Sequence, residues 1–384
     1  MPSAKDAMTE TTKTDTPMQG DLLDARRALE ICNACRYCGG YCAVFPAMEL
    51  RRSFSDGELE YMAHLCHNCR GCYYACQYAP PHEFGINLPR TFAQLRGGSY
   101  ASNAWPGFLG ALFARNGLVV SLVMALGLAV VLFYTMGRHG SDVLYASHTG
   151  PGAFYTLIPF VVMTTVAGGA FVFGLLAMVL GVVKFWRRTG SGGMPGVRSW
   201  GQAIGDVLTL RHLGGGGHGC NVRDESFSMS RRWLHHFLFY GFALCLASTT
   251  VAAYYDHFLH LPAPYALTSL PVVLGTVGGI GMVIGSVGLF WLKLTGDPTP
   301  AAPAMLGADV GLIFLLGMTA FTGLLLLALR DTGAMGILLA VHLGFVLAFF
   351  VLMPYSRFVH GFYRIAALLR HHREREGDAP PSHP

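Results

Sequence analysis

Charge is scarce in this chain. Of 384 residues only 27 are Lys or Arg and 22 are Asp or Glu, and long stretches carry none at all. An ordinary soluble two-domain protein is excluded, because uncharged runs of roughly 20 apolar residues are long enough to cross a bilayer as helices. The net charge of +5 is too small and too scattered to suggest a nucleic-acid partner. No strand precedes the only G-x-G-x-x-G match, Gly214, Gly216 and Gly219, so a flavin or nicotinamide fingerprint is absent too. The first 20 residues are small and polar, read as a disordered leader without the apolar core of a signal peptide.

What is present concentrates between Cys32 and Cys76. Eight of the ten cysteines fall there in two runs of one spacing, Cys32, Cys35, Cys38, Cys42 and Cys66, Cys69, Cys72, Cys76. Each run reads C-x2-C-x2-C-x3-C, the spacing in which three thiolates hold three corners of a cubane and the fourth crosses to the other cluster. The pattern predicts two [4Fe-4S] clusters, one on Cys32, Cys35, Cys38 and Cys76, the other on Cys66, Cys69, Cys72 and Cys42. Zinc sites instead pair two C-x-x-C knuckles, and disulfides need an oxidising compartment. The proline that often follows the fourth cysteine is missing, with Ala43 and Gln77 in its place. His64, His67 and His82 lie beside the runs and are read as hydrogen-bonding or packing residues, since the thiolate set is complete without them.

Residues 21–100 therefore read as a small α-rich module, with Ser55 and Glu58 as a capping box opening a helix from Asp56 to Leu65. Its core is expected to be largely the two clusters, so that metal removal unfolds it. A membrane domain follows over 116–360, with spans at 118–136, 154–183, 237–255, 267–292, 310–329 and 333–355. The loop 187–232 and a basic tail 361–384 complete the chain. Thirteen Arg and Lys residues follow spans two, four and six, whereas only Arg138 and Arg330 follow the others. The positive-inside rule then places both termini and the cysteine module in the cytoplasm, the protein being multi-pass in a bacterial inner membrane.

Histidine at membrane depth asks for a reason. His342 and His360 are 18 residues apart, five helical turns or roughly 27 Å on one face. His236 and His257 share a face of span three, with His235 as a substitute for His236. Because the two spans run in opposite directions, His236 is expected level with His360 and His257 level with His342. That pattern suits one or two haem b groups held between imidazoles. Interfacial snorkelling is the blander account, and Pro354 interrupts the helix between His342 and His360. The glycines of span four, Gly275 to Gly288, suit close helix packing or a flat macrocycle equally.

The stretches CNACRYCGGYCAVFPAMELRRSF, LCHNCRGCYYACQYAPPHEFGINLP, LTLRHLGGGGHGC and SRRWLHHFLFYGF resemble the tricarballylate or citrate utilisation protein B family over nearly the whole chain from Asp21. The resemblance implies an electron-transfer subunit that reoxidises a separate FAD-dependent dehydrogenase and delivers electrons to the membrane quinone pool. The membrane part is also similar to the gamma subunit of respiratory nitrate reductase. The fold implied is mainly α, a dicluster ferredoxin-like module joined to a six-helix transmembrane bundle. Two other readings stand beside it: a partner flavoprotein in cobalamin (precorrin) biosynthesis, and a membrane redox sensor or transporter.

Overall fold

The computed structural model describes residues 17–190 and 192–376. Residues 1–16 of the expected leader and 377–384 of the expected tail lie outside the described residues. Among the described residues the fold is mainly α, and no strand is present beyond a single bridge between Cys220 and Ser228.

The module is built from α1 (Pro17–Cys35), α2 (Val44–Glu49), α3 (Asp56–Leu65), α4 (Gly71–Tyr74) and α5 (Leu88–Asn103). The backbone N–H of Ser55 donates to Glu58 Oε2 at 2.9 Å, so α3 opens on the expected capping box. Asn87 caps α5 by accepting from the Arg90 N–H at 3.2 Å, with Pro89 in the first turn where its missing donor costs nothing. Leu29, Met48, Leu59, Met62, Leu65, Phe92 and Leu95 are fully buried between these helices. The module thus has a side-chain core of its own. This corrects the expectation of a module cored mainly by its clusters.

Among the described residues six helices are long and apolar enough to cross a membrane. The first is α6 (Asn116–Arg138); the short α7 (Ser141–Leu144) and α8 (Ala153–Leu157) lead to the second, α9 (Phe160–Arg188). Pro159 starts α9 later than the expected 154, and the helix runs on through its basic end to Arg188. After α10 (Val197–Leu208) come α11 (Ser230–Leu259), α12 (Leu270–Thr295), α13 (Leu306–Leu329) and α14 (Met335–Leu352). Helix α11 packs along α12, α12 along α13, α13 along α14, and α14 against α6 and α9.

Small residues set these crossings. A Cβ on Gly285 would lie 2.6 Å from the Leu238 nitrogen and 2.8 Å from the Leu234 oxygen, backbone atoms that cannot yield. Gly278 meets the Gly241 carbonyl in the same way at 2.7 Å. The glycine face of span four is therefore a helix-packing surface against α11. Gly285→Ala is expected to destabilise the bundle by about 1–3 kcal/mol through overpacking, read as a lower thermal midpoint in detergent.

Helix α14 ends at Leu352. Two single turns, Met353–Tyr355 and Arg357–Val359, intervene before α15 (His360–Arg375), with Ser356 extended at φ −121° and ψ 178°. Pro354 is the physical reason, since it cannot continue the hydrogen-bond ladder. His342 and His360 consequently do not share a continuous helix, and the five-turn argument fails. Nor is the segment from residue 361 a free tail. Arg370, His371, His372, Arg373 and Glu374 are all buried, and Glu374 pairs with Arg51 of the module while accepting from Arg370 at 2.8 Å and Tyr61 at 3.2 Å. Arg188 at the end of α9 pairs with the buried Glu60 of α3, a second bond between the module and the bundle.

Candidate electron-transfer site

The cysteine loops turn tightly enough to force three side-chain-bearing residues into the left-handed region, Arg36 at φ 55°, Asn68 at φ 56° and Arg70 at φ 71°. Arg70 is held there by the carbonyls of Val222 and Asp297, both at 2.9 Å, and Tyr74 binds the Asp297 carboxylate at 2.6 Å. Folded in this way, the loops bring Cys32, Cys35, Cys38 and Cys76 into one group and Cys42, Cys66, Cys69 and Cys72 into another. Burial first, then the neighbouring thiols, push Cys32 and Cys38 up to about 12. Four protonated thiols crowded together carry no charge; a bound metal cluster would deprotonate them and supply the compensating cation.

The residues fit such a group. The first four thiols, joined by Cys72 of the other group, line a cavity of about 290 Å³ with Ile31, Phe45, Tyr78 and Leu88. N–H donors already point at sulfur, Asn68 N–H to Cys66 Sγ at 3.4 Å and Gln77 Nε2 to Cys35 Sγ at 3.7 Å. Among the described residues no three His, Cys, Asp or Glu side chains converge on a single metal ion.

The glycine tract lies over the second cysteine run. A Cβ on Gly215 would be 3.9 Å from Cys69 Sγ, and one on Gly216 would be 3.1 Å from the Gly40 carbonyl. Both residues have positive φ, 49° and 78°, so glycine serves here for backbone conformation and close approach at once. The Asn221 N–H donates to the Cys69 carbonyl at 2.9 Å, tying the tract to the run. Cys220 is buried against Cys69 and Leu213 and donates to the Leu213 carbonyl at 3.2 Å, a packing role.

The neighbouring histidines take structural places. His64 is enclosed by Tyr100, Phe185 and Tyr363 and bonds Ser99 Oγ at 3.0 Å. His67 Nδ1 meets the Leu65 carbonyl at 2.7 Å, and His82 Nδ1 accepts from the Phe84 N–H at 3.1 Å.

Of the membrane histidines, His235 rather than His236 faces His360, with ring centroids 6.2 Å apart. His236 stacks on Tyr240 at 5.8 Å and turns toward Trp233. His257 is exposed and touches Phe160 of α9, while His342 sits against α13, its Nδ1 3.2 Å from Thr322 Oγ1. These two meet different helices, so the far-side pairing is not formed. One helical step separates His235 from His236, about 100° around the axis, a choice of face that periodicity alone cannot make.

His235 and His360 line a cavity of about 170 Å³ with Leu238, Leu312 and Leu316 at its apolar end. Its polar end gathers Arg231, Lys293, Arg357 and Arg364 around one carboxylate, Asp309. Arg357 Nε binds Asp309 at 2.8 Å, yet Arg357 Nη1, Arg364 Nε and His235 Nδ1 are buried without a partner. Burial, reinforced by the nearby Arg96 guanidinium, lowers Arg364 to about 9. His360 Nδ1 is bonded to the Arg357 carbonyl, which leaves Nε2 as the nitrogen free of that bond. Asn68 and Arg70 of the second cysteine run line this same cavity, and Arg364 donates to the Cys66 carbonyl at 3.3 Å. Thiol group and imidazole pair thus share a wall.

Two family models match the chain, one described as Citrate utilization protein B over residues 111–381 and one as its Fer4-like domain over residues 25–102. Citrate utilization protein B of Escherichia coli is 45% identical over 348 residues, covering 90% of this chain and 91% of that protein. The chain belongs to the citrate utilization protein B family. No solved structure matches it. Family membership makes residues 25–102 a Fer4-like domain, and the two thiol groups are that domain's eight run cysteines. The family match extends to residue 381 and so takes in α15, a segment expected from the sequence to be a tail.

A titration effect follows from that helix. His371 is buried among His372, His212, Arg375 and Asp206, and burial first, then the His372 charge, hold it down to about 3. Asp206 accepts from His212 at 3.0 Å and His372 at 2.9 Å; burial opposes its ionisation, but these bonds keep the carboxyl well below the usual range. An unfolded histidine takes up a proton near 6.5 that the buried one refuses, so stability is lost as pH falls below about 6.5, by up to about 1.4 kcal/mol per pH unit. The thermal midpoint is expected to drop between pH 7.5 and 5.5, and to drop less in His371→Leu.

Proposed function

We propose that this protein is a membrane-bound electron carrier that reoxidises the reduced FAD of a separate dehydrogenase of the tricarballylate or citrate utilisation type. Electrons would pass by way of two [4Fe-4S] clusters and one haem b to quinone. Cys32, Cys35, Cys38 and Cys76 would hold the first cluster, and Cys42, Cys66, Cys69 and Cys72 the second. His235 and His360 would hold the haem iron, and Arg231, Arg357 and Arg364 would bind its carboxylates. When bound, clusters and haem supply one-electron steps between a two-electron flavin and a two-electron quinone.

The observation that carries this reading is the shared wall. Arg364 bonds the Cys66 carbonyl and lines the imidazole cavity, and Asn68 and Arg70 of the cysteine run line it too. Arg364, buried and bonded to a carbonyl rather than to a carboxylate, and the unpartnered Nη1 of Arg357 support an acidic occupant, since a buried charge without a counter-charge is costly. The excess of Arg and Lys on the module's side of the spans supports a cytoplasmic module in a bacterial inner membrane.

The reading is tested by placing the full-length protein in liposomes containing quinone and adding the photoreduced dehydrogenase anaerobically. Flavin reoxidation that requires both the protein and quinone is expected. Flavin that stays reduced, with clusters intact, would sink the proposal.

A further inference from the structure

Helix α10 presents a stripe that nothing among the described residues covers. Its buried residues are Ser199, Ala203 and Asp206, which face α15 through Ser199 Oγ to Glu376 at 2.9 Å and Asp206 to His372. On the other side Val197 is 91% exposed, and Trp200, Ile204 and Leu208 are 41%, 48% and 44% exposed. Positions 197, 200, 204 and 208 fall within about 80° of one another on a helical wheel, so they form one apolar stripe. Gly201 and Gly205 flank it with open space where a Cβ would be.

The position of the helix says what meets that stripe. Tyr240, in the third membrane helix, donates to the Leu208 carbonyl at 2.7 Å, and Arg232 of the same helix donates to the Thr209 carbonyl at 2.7 Å. The C-terminus of α10 therefore lies level with the first turns of a span, where the uncharged stretch of α11 begins at Phe237. Trp233 and Trp291 are exposed on the ends of α11 and α12 on this same side, the placement of an interfacial aromatic belt. The exposed charges around α10 are cationic. Arg198 and Arg211 have side chains 81% and 72% exposed with only long contacts to carboxylates at 3.7 and 3.5 Å, while Asp206, the sole acid of the helix, is turned inward.

We propose that α10 is an interfacial membrane helix. Its stripe of Val197, Trp200, Ile204 and Leu208 lies in the boundary between headgroups and acyl chains of anionic phospholipid, with Arg198 and Arg211 on lipid phosphates. The occupant of the stripe is lipid rather than protein, because the stripe continues the lipid-facing surface of α11 and matches anionic headgroups in charge. Through α15, which bonds both α10 and the cysteine module, the bilayer surface then sets the height of the module above the membrane.

The test uses full-length Ile204→Cys and Val197→Cys in liposomes of phosphatidylcholine with phosphatidylglycerol, and Glu225→Cys in an exposed loop as reference. Cluster iron content equal to the parent shows that each variant is folded, and the parent supplies the background. A membrane-impermeant maleimide is expected to label residues 197 and 204 about tenfold more slowly than 225, at every protein-to-lipid ratio and without any added protein. Equal labelling rates at 204 and 225 would overturn the proposal. So would protection that vanishes on dilution into more lipid, which would mark a second copy of this chain, or protection that needs the dehydrogenase, which would mark that partner.

Discussion

His360→Ala is expected to abolish the b-type absorption of the purified protein while leaving its iron-sulfur absorption in place. The imidazole lies 6.2 Å, ring to ring, from His235 in a cavity lined by both leucines and arginines, and its Nδ1 is tied to the Arg357 carbonyl. Such an anchor fixes the tautomer and offers Nε2 as the ligand, the usual arrangement for an imidazole bound to metal. His235→Ala should behave in the same way. His236→Ala, His257→Ala and His342→Ala should keep the band, because those rings rest on Tyr240, Phe160 and Thr322 instead. A band lost in His342→Ala but kept in His235→Ala would place the haem elsewhere. Pyridine haemochrome content of each variant, measured on equal protein, decides between them.

Cys76→Ser is expected to remove the cluster of the first cysteine run, not of its own run, so that iron falls from about eight cluster atoms per chain to about four. Cys76 stands among Cys32, Cys35 and Cys38, whereas Cys42 stands with Cys66, Cys69 and Cys72. The crossing has a second consequence. Each cluster would tie α1 and the loop after it to the loop around α4, yet the helices keep their own core of Leu29, Leu59, Met62, Phe92 and Leu95. Chelating all the iron should therefore loosen the loops 36–43 and 66–76 while far-ultraviolet circular dichroism changes little. Hydrogen exchange confined to those loops is the expected result, and global loss of helix would contradict it.

The sequence made the cysteine runs legible because covalent chemistry demands a fixed spacing, and the crossed assignment proposed for them comes from the same rule. Six spans were legible because length and apolarity decide them, although Pro159 shifted the start of the second. The imidazole pair was half legible. His360 could be picked through its 18-residue spacing from His342, and choosing between His235 and His236 requires the rotation of α11, which Gly278 and Gly285 set by packing on α12. The His342 to His360 register failed at Pro354, where the phase of one helix does not carry into the next. Least legible was α15. Its run of Arg, His and Glu looks solvated, yet Glu374, Arg370 and His372 are buried because Arg51, Tyr61 and Asp206 wait for them on distant segments. Only the Arg370 and Glu374 spacing of four residues hinted at a helix there.

The most direct measurement is a dithionite-reduced minus air-oxidised optical spectrum of the full-length protein, purified anaerobically in detergent. The account predicts a sharp b-type band superimposed on the broad bleaching of iron-sulfur clusters. A featureless difference spectrum from a folded protein whose cysteines carry zinc would contradict it.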